Sequence, residues 1–387
     1  MPPEKIQVAI AGCGAISAVG CGVESLRAAL LANSSGLRAN ERFENPRCQS
    51  NIVGAAHLNE NFFDDNPAYA LAEGALTEAH DQARELIKNI PAERIGLVLS
   101  TTKANIEALE RLSDGRSCSD SARRHLQPDL LAAELAAEQG ARGPVQTISV
   151  ACVSGLIALM QGAKLIQRGA ADAVFVVGVD HLSQFVVTGF TTLKAIDPNG
   201  CRPFDRDRCG LSPGEAGAAI LLVRGDIAPK SAITIRGWGS SNDANHMTGP
   251  SRDGFGLAQA IRAALNTSPL NAYEINYVNA HGTGTPYNDA MESAALKTIF
   301  GERCPPISGL KGMLGHTLGA AGVIETIACV LAMQNNFLPG TPRLENPADF
   351  APASIVKAPR SVDRLNHVLK LNTGFGGVNG ALVLSHG

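Results

Sequence analysis

Residues 146–179, QTISVACVSGLIALMQGAKLIQRGAADAVFVVGV, predict a strand, a helix and a second strand in succession. The β-branched run at 146–150 favours a strand. Residues 156–166 are apolar nearly all round at their start, which is typical of a buried helix. Residues 171–179 form a continuous apolar run of the kind found inside parallel sheets. The unit therefore predicts an α/β protein.

The same alternation of strands and helices extends on both sides of this unit. Around it, the sequence predicts strands at 6–10, 94–100 and 217–223, a glycine-rich turn at 12–14, and helices at 23–32, 67–89 and 129–139. Later it predicts a strand and glycine-containing turn at 233–239, strands at 275–279, 307–310, 367–372 and 381–384, and helices at 256–265 and 322–333. Because the second series repeats the order of the first, we expect an internal duplication, divided into residues 1–228 and 229–387.

Composition excludes several classes of protein. The 387-residue chain has a net charge of −3 from 33 basic and 36 acidic residues, so it lacks the basic excess of nucleic-acid-binding proteins. Its nine cysteines include no CxxC pair, which argues against a zinc site or a disulfide framework and favours a reducing cytoplasm. Neither a signal peptide nor a membrane-spanning apolar run is evident, so we expect a cytoplasmic protein that does not enter a membrane.

Cys152 lies where the predicted strand at 146–150 gives way to the helix. The N-terminus of a helix stabilises a thiolate through its free amides and its dipole. Burial has the opposite effect on the pKa of a thiol, so the helix end has to outweigh burial for Cys152 to act as a nucleophile. On this segment alone, an inert core thiol fits as well as a nucleophile.

Three later segments carry further reactive groups. They are HGTGT at 281–285, KGMLGHTLGAAG at 311–322 followed by Glu325, and NTGFGGVN at 372–379. Singly, each has a structural explanation, since glycine loops often serve turn geometry and a histidine after a strand is often a hydrogen-bonded core residue. The glycine spacings match neither the P-loop nor the GxGxxG pattern. A cysteine, two histidines, a lysine and a glycine loop, each at a strand end, together indicate an active site.

These four segments resemble the signatures of β-ketoacyl-[acyl-carrier-protein] synthases of the type I/II branch, and CRPFDRDR at 201–208 resembles the RPFD segment of that family. The resemblance covers essentially the whole chain. It implies an α/β thiolase fold, in which two similar halves form a duplicated five-layer αβαβα arrangement. On that basis residues 1–228 carry the nucleophilic cysteine and residues 229–387 carry the two histidines.

The resemblance also implies roles for individual residues. Cys152 holds the acyl chain as a thioester, and the backbone amides of Cys152 and Phe375 form the oxyanion hole. His281 and His316 donate hydrogen bonds to the enolate formed when a malonyl thioester loses carbon dioxide. Lys311 and Glu325 form a charge pair that orients the catalytic groups, and Phe375 also acts as a gate to the acyl tunnel.

Substrate contacts follow from the same resemblance. The phosphopantetheine arm is bound by Thr283 and Thr285, the loop at 242–248 shields the pocket and contains Thr248, and Gly374 and Gly376 flank the gate. We expect no metal and no cofactor of the protein's own, since phosphopantetheine arrives on the carrier protein.

The expected partners are an acyl carrier protein bearing acyl or malonyl groups and a second ketosynthase-like chain, in a homodimer or heterodimer. Because carrier proteins are acidic, the basic cluster Arg123-Arg124-His125 is a candidate docking site, although such clusters are more often solvated faces.

Three comparisons within the superfamily narrow the assignment. The pair His281 and His316 differs from the Cys-His-Asn site of type III synthases, and no second catalytic cysteine follows Cys329, as a thiolase would require. The intact Cys152 argues against a chain-length-factor subunit.

Departures from the family pattern occur at 209–217, at Thr373, where an aromatic residue is common, and at 100–106, which lacks the usual glycine-rich form. In these respects the chain resembles synthases of aryl-polyene or related pathways, which implies an aromatic or polyunsaturated acyl group. The favoured function is decarboxylative condensation in fatty acid or polyketide/aryl-polyene biosynthesis. The alternative is a length-setting or structural partner subunit of a ketosynthase heterodimer, with weak activity of its own.

Overall fold

The computed structural model describes residues 6–42, 52–56 and 65–386. The strands up to residue 228 are β1 (Val8–Ser17), β2 (Gly20–Cys21), β3 (Arg38–Ala39), β4 (Ile52–Val53), β5 (Ile95–Ser100), β6 (Val145–Ile148), β7 (Ala173–Asp180) and β8 (Ala216–Arg224). The helices of the same part are α1 (Val23–Ala32), α2 (Pro67–Ile87), α3 (Ile106–Ser113), α4 (Asp120–Arg124), α5 (Pro128–Glu138), α6 (Ser154–Gln167) and α7 (Gln184–Thr192).

The remaining strands are β9 (Ile233–Asn242), β10 (Tyr277–Asn279), β11 (Ile307–Ser308), β12 (Phe337–Leu338), β13 (Arg360–Ser361), β14 (His367–Thr373) and β15 (Val378–His386). The remaining helices are α8 (Phe255–Thr267), α9 (Pro286–Phe300), α10 (Lys311–Leu314) and α11 (Ala321–Gln334). The β3–β4 and β12–β13 pairs form small separate sheets. Most elements predicted from sequence lie within a few residues of these bounds.

The main sheet has the same strand order on either side of its midpoint. One side runs β1-β8-β7-β5-β6 and the other runs β9-β15-β14-β10-β11. The senses also match, because β5 pairs in parallel with β6 and β7, as β10 does with β11 and β14. The two sides join where β1 pairs antiparallel with β9 through Val8 and Ala9 only. The topology is therefore duplicated, and the division expected at residues 228 and 229 falls between β8 and β9.

Helices cover both faces of each half-sheet. The helices α6 and α11 pack together and share one apolar core with strands of both halves. A second core lies under α2 and α5, and a third lies under α8 and α9. The order is thus helix, sheet, helix, sheet, helix, which agrees with the five layers that the resemblance implies. Cys152 precedes α6, and His316 precedes α11.

Glycines in β1 and β9 allow helices to approach the sheet closely. The sequence predicted a turn at 12–14, but β1 continues through it, and a Cβ at Gly14 would lie 1.9 Å from the Ala75 carbonyl oxygen of α2. The predicted turn at the end of 233–239 is likewise wrong, since β9 runs on and a Cβ at Gly239 would lie 2.3 Å from the Ala260 oxygen of α8. These glycines serve helix packing rather than chain reversal.

A similar close approach brings the starts of the two central helices together. A Cβ at Gly322 of α11 would lie 2.2 Å from the backbone nitrogen of Leu156 in α6, and a Cβ at Gly155 would lie 2.9 Å from the nitrogen of Val323. The absence of side chains at both positions therefore sets how closely the cysteine-bearing and histidine-bearing segments approach.

Within the described residues, none of the helices combines the length and the hydropathy needed to cross a membrane. Eight of the nine cysteines belong to that part of the chain, and no disulfide joins any two of them. The ninth, Cys48, lies outside the described residues.

Candidate active site

The turn that presents Cys152 has a strained backbone. Ala151, the residue before it, has φ 45°, in the left-handed region that costs a non-glycine residue of order 1–3 kcal/mol. The Ser154 hydroxyl stabilises this turn, because it donates to the Ala151 carbonyl oxygen at 2.6 Å and accepts from the Val150 N–H at 2.7 Å. Cys152 itself is 7% exposed. The thiol is thus held at the start of α6 with a small accessible face.

His316 contacts the thiol directly. Its Nε2 lies 3.0 Å from Cys152 Sγ, and its Nδ1 accepts a hydrogen bond from the Leu318 N–H at 3.2 Å. Because Nδ1 is the acceptor, a neutral imidazole carries its proton on Nε2. His316 therefore directs an N–H donor at the sulfur and stabilises a thiolate there.

His281 lies at the end of β10 with its ring edge-on to His316, at 5.2 Å between centroids. Its Nδ1 is 3.1 Å from Lys311 Nζ and 2.9 Å from Asn372 Nδ2, both of which can only donate. Burial, reinforced by the Lys311 charge, holds the pKa of both histidines well below its usual value. Each ring is neutral and presents an Nε2–H donor toward the site.

A buried charge network lies behind the histidines. Glu325 accepts from Lys311 Nζ and from Lys370 Nζ, each at 2.7 Å, and the three side chains are at most 2% exposed. Burial opposes ionisation of Glu325, but the two lysines outweigh it, so its pKa is lowered. Burial also lowers the pKa of Lys370. Lys311 and Glu325 thus form the predicted ion pair, and neither lines the larger cavity.

Sequence reasoning missed Lys370 and Asn372 as members of this network. Both occur in β14, where Asn372 contacts His281 and Lys370 contacts Glu325. A lysine in the middle of an otherwise apolar strand was the available signal, because a buried ammonium requires a partner.

The glycine loop places Phe375 against the nucleophile. The backbone amides of Phe375 and Cys152 both favour the ionised form of the sulfur. A Cβ at Gly374 would lie 3.3 Å from the Cys152 nitrogen, so a side chain there would crowd the amide. The Phe375 ring lies 6.1 Å from that of Phe190.

Cys152 and Phe375 lie between two cavities. The larger, about 410 Å³, is lined by the predicted substrate residues Thr248, Thr283, Thr285 and Gly374 and by both histidines. The smaller, about 250 Å³, is lined by apolar side chains of α7 and by Leu193, Leu318 and Phe375, with Thr102 and Lys103 at one wall. Gly376 is not among the lining residues, and its N–H instead donates to the Met247 carbonyl oxygen at 2.7 Å, which attaches the loop at 242–248. The nucleophile therefore faces one chamber on each side.

Thr373 takes part in hydrogen bonds that support the HGTGT loop. Glu292 accepts from the N–H groups of His281 and Gly282, both at 2.7 Å, and from Asn288 Nδ2 at 2.9 Å. Thr373 Oγ1 in turn donates to Asn288 Oδ1 at 2.6 Å. Burial raises the pKa of Glu292 to about 7. Thr373 is thus connected through Asn288 and Glu292 to the backbone of His281.

The departure at 209–217 leaves a buried anchor in place. Glu215 is fully buried and accepts from the Ala56 N–H at 2.7 Å, the Leu182 N–H at 2.9 Å and Arg42 Nη1 at 2.7 Å. It therefore links three separate segments near the site.

The candidate docking cluster, Arg123-Arg124-His125, has fewer residues at the surface than the sequence indicates. His125 is fully buried, with Nε2 3.0 Å from Glu134 Oε2, so it presents no surface charge. Arg123 pairs with Asp120, and Arg124 lies 4.0 Å from Glu134. Two paired arginines remain at the surface, and their contact with a carrier protein stays a prediction.

The ligand atoms of Cys152, His281 and His316 all lie within 4.8 Å of one another. A thiolate and two imidazoles suit a cation such as Zn²⁺. The positive charge of the Lys311 ammonium beside His281 opposes the binding of a metal cation at this site. A metal-free site therefore remains our expectation.

At Cys152, the effect of burial on the pKa of the thiol exceeds the effect of the helix N-terminus. Burial raises the pKa of Cys152 to about 11, although the Lys311 charge and the Phe375 amide act in the opposite direction. The thiolate needed for attack is then about one part in 10⁴ at pH 7. The sequence had left this balance open, because the depth of the thiol depends on tertiary packing.

This high pKa makes a prediction for alkylation of Cys152. Because only the thiolate reacts, the rate with iodoacetamide should rise about tenfold per pH unit between pH 7 and 10. Lys311→Met should slow the reaction at each pH, since the Lys311 charge favours the thiolate. Mass spectrometry of the peptide containing Cys152 gives the rate, and the urea-unfolded protein, with a thiol pKa of about 8.5, is the control. A folded-state rate that levels off below pH 8 would contradict this account.

Comparison with known proteins identifies the family. The family models "Beta-ketoacyl synthase, N-terminal domain" and "Beta-ketoacyl synthase, C-terminal domain" match residues 5–228 and 232–345. A putative polyketide beta-ketoacyl synthase 1 of Streptomyces halstedii is 32% identical over 98% of both chains. The 3-oxoacyl-[acyl-carrier-protein] synthase 2 of Vibrio cholerae is 31% identical over 98% of this chain and 99% of its own.

Among solved structures, the ishigamide ketosynthase/chain length factor superposes with a TM-score of 0.91 at 29% identity, covering 99% of this chain and 100% of its own. This likeness and the duplicated five-layer topology confirm the expected thiolase fold. The match of both family models across both halves confirms the resemblance noted in the sequence, and the chain belongs to the β-ketoacyl synthase family.

Proposed function

We propose that this protein catalyses decarboxylative Claisen condensation between an acyl group held on Cys152 and malonyl-acyl carrier protein. The observation that carries the proposal is the contact of Cys152 Sγ with His316 Nε2 at 3.0 Å, beside a second neutral histidine and between two cavities. As a member of its family the protein is an acyltransferase.

The first half-reaction loads the acyl chain. The Cys152 sulfur attacks the carbonyl carbon of an acyl thioester, and the amides of Cys152 and Phe375 stabilise the oxyanion. The carbon–sulfur bond to the carrier then breaks, and the released carrier thiol takes the proton that Cys152 loses. The acyl chain enters the smaller cavity, while the pantetheine arm leaves through the larger one.

The second half-reaction forms the carbon–carbon bond. Loss of carbon dioxide from the malonyl group leaves an enolate, whose oxygen accepts hydrogen bonds from the Nε2–H groups of His281 and His316. Its carbon attacks the acyl–Cys152 carbonyl, and the sulfur leaves as a thiolate. Neutral histidines suit this step because each supplies a donor proton without protonating the enolate carbon.

The names of the relatives support the proposed partners. The Vibrio cholerae relative is named for acyl carrier protein, and the ishigamide structure is titled as a ketosynthase with a chain length factor. We propose that this chain also takes its substrates from an acyl carrier protein and pairs with a second ketosynthase-like subunit. An aromatic or polyunsaturated acyl group and a cytoplasmic location complete the proposal, and the absence of a disulfide among the eight described cysteines fits that compartment.

The test compares condensation by the isolated protein with that by Cys152→Ala. With acyl- and malonyl-carrier protein, the wild type should release carbon dioxide and form a product two carbons longer, while the variant should fall by at least about 10³-fold. Cys118→Ala, at a half-buried thiol away from the cavities, is the matched control. If activity appears only after a second subunit is added and survives Cys152→Ala, the length-setting alternative is correct.

A further inference from the structure

The smaller cavity contains a buried lysine that the proposed reaction does not use. Lys103 lies in the loop between β5 and α3, in the segment that departs from the family pattern, and its side chain is 6% exposed. It lines the cavity together with Cys152 and Phe190. Among the described residues, no atom accepts a hydrogen bond from its Nζ. The nitrogen itself is covered by protein atoms behind the wall of the cavity. An ammonium with unused donors at that depth is costly unless a ligand that draws it into the cavity supplies an acceptor.

The one charged contact of Lys103 balances its charge but leaves donors unused. Asp180 Oδ1 lies 3.2 Å from Lys103 Nζ, without the geometry of a hydrogen bond. Asp180 already accepts from Thr101 Oγ1 at 2.9 Å, Thr102 Oγ1 at 2.7 Å and the Gly319 N–H at 2.7 Å. The carboxylate is therefore satisfied by these donors, while the ammonium has three N–H groups and no oxygen bonded to them.

The neighbouring histidine adds no positive charge. Burial, followed by the Lys103 charge, lowers the pKa of His181 to about 3, so its ring is neutral. Lys103 and Asp180 thus form a pair of zero net charge at the wall of the cavity. A carboxylate on an incoming chain would leave an excess buried charge, whereas a carbonyl or hydroxyl oxygen would not.

The other residues that line the smaller cavity limit what the rest of the acyl chain can be. Phe185, Val186, Phe190 and Leu193 are apolar, and the volume of about 250 Å³ suits a medium-length or aryl acyl group. The proposal rests on the function given above, since it concerns the chain held on Cys152. We propose that Lys103 selects acyl chains bearing a neutral oxygen acceptor, such as a ketone or hydroxyl, on an otherwise apolar chain.

The test compares chains of equal length on the same carrier. Octanoyl, its oxo isomers with the ketone at carbon 5, 6 or 7, and 7-carboxyheptanoyl groups are offered to the wild type, to Lys103→Met and to Lys103→Gln. The kcat/KM for acylation of Cys152 is measured by mass spectrometry. Lys88→Met, at an exposed lysine of the α2 terminus, is the matched control.

We expect the wild type to prefer one oxo isomer over octanoyl by about tenfold or more. Lys103→Met should remove that preference, Lys103→Gln should restore part of it through its amide donor, and the control should keep it. Equal ratios in the wild type and Lys103→Met overturn the proposal, as does a preference for octanoyl. Preference for the carboxylate chain overturns it in favour of an anion site. Failure of every chain to acylate Cys152 would instead refute the proposed function.

Discussion

Replacement of Glu325 by leucine is expected to lower the free energy of unfolding by about 3–5 kcal/mol. The loss arises because Lys311 and Lys370 would remain buried with no carboxylate between them. Urea denaturation monitored by circular dichroism measures it, with the slope of the transition checked for two-state behaviour.

Lys370→Met is the matched comparison for Glu325→Leu. It removes one of two cations and leaves Lys311 paired with Glu325, so its cost should be clearly smaller. Because the pKa of Glu325 is lowered in the folded protein, its contribution is complete above the unfolded value of about 4.5 and declines as pH falls through the lower folded value. Equal losses for the two variants, or a loss from Glu325→Leu within about 0.5 kcal/mol of zero, would show that the network contributes nothing specific.

His281→Asn and His316→Asn should each lower condensation by about 10²–10³-fold, because each removes one donor to the enolate oxygen. The two variants should differ in the first half-reaction. His316 contacts the sulfur, whereas the contacts of His281 are with Lys311, Asn372 and the ring of His316. His281→Asn should therefore still acylate Cys152 at near the wild-type rate, and His316→Asn should acylate it more slowly.

Separate measurements of the two half-reactions distinguish the roles of His281 and His316. Mass spectrometry of acyl–Cys152 follows the first half-reaction, and release of labelled carbon dioxide from malonyl-carrier protein follows the second. His80→Asn, on the far side of the first half in α2, is the control. Equal effects of the two site variants on acylation would mean that the imidazole at 3.0 Å from the sulfur has no separate role there.

The sequence pattern predicted those helices and strands whose formation depends on neighbouring residues alone. Helix α1 was predicted with the bounds the structure shows, since its apolar spacing and flanking residues are local. The turns expected at 12–14 and at the end of 233–239 were wrong. Glycines that let a helix pack closely on a strand and glycines that reverse the chain occur in similar local sequences. Only the tertiary contact distinguishes the two.

For the active site too, some features were predicted from the sequence and others required the structure. The segments containing Cys152, His281 and His316 were identified in the sequence, and the family resemblance supplied their juxtaposition across 164 residues of chain. The contacts of Lys370 and Asn372 required the structure, because Lys370 lies outside the motifs and nothing in NTGFGGVN shows that Asn372 contacts His281. The pKa of Cys152 also required it, since the depth of burial depends on the whole fold.

The contact between Gly155 and Gly322 has a consequence for how the two halves of the protein can diverge. Each half supplies one partner of the 3.0 Å contact between sulfur and imidazole, and the two helix starts that follow those partners touch backbone to backbone. The spacing of the reacting groups is thus fixed by two positions that never meet the substrate. A single added methyl group there would separate thiol and imidazole while leaving every reactive side chain intact, so a substitution at either glycine can impair the site from outside it.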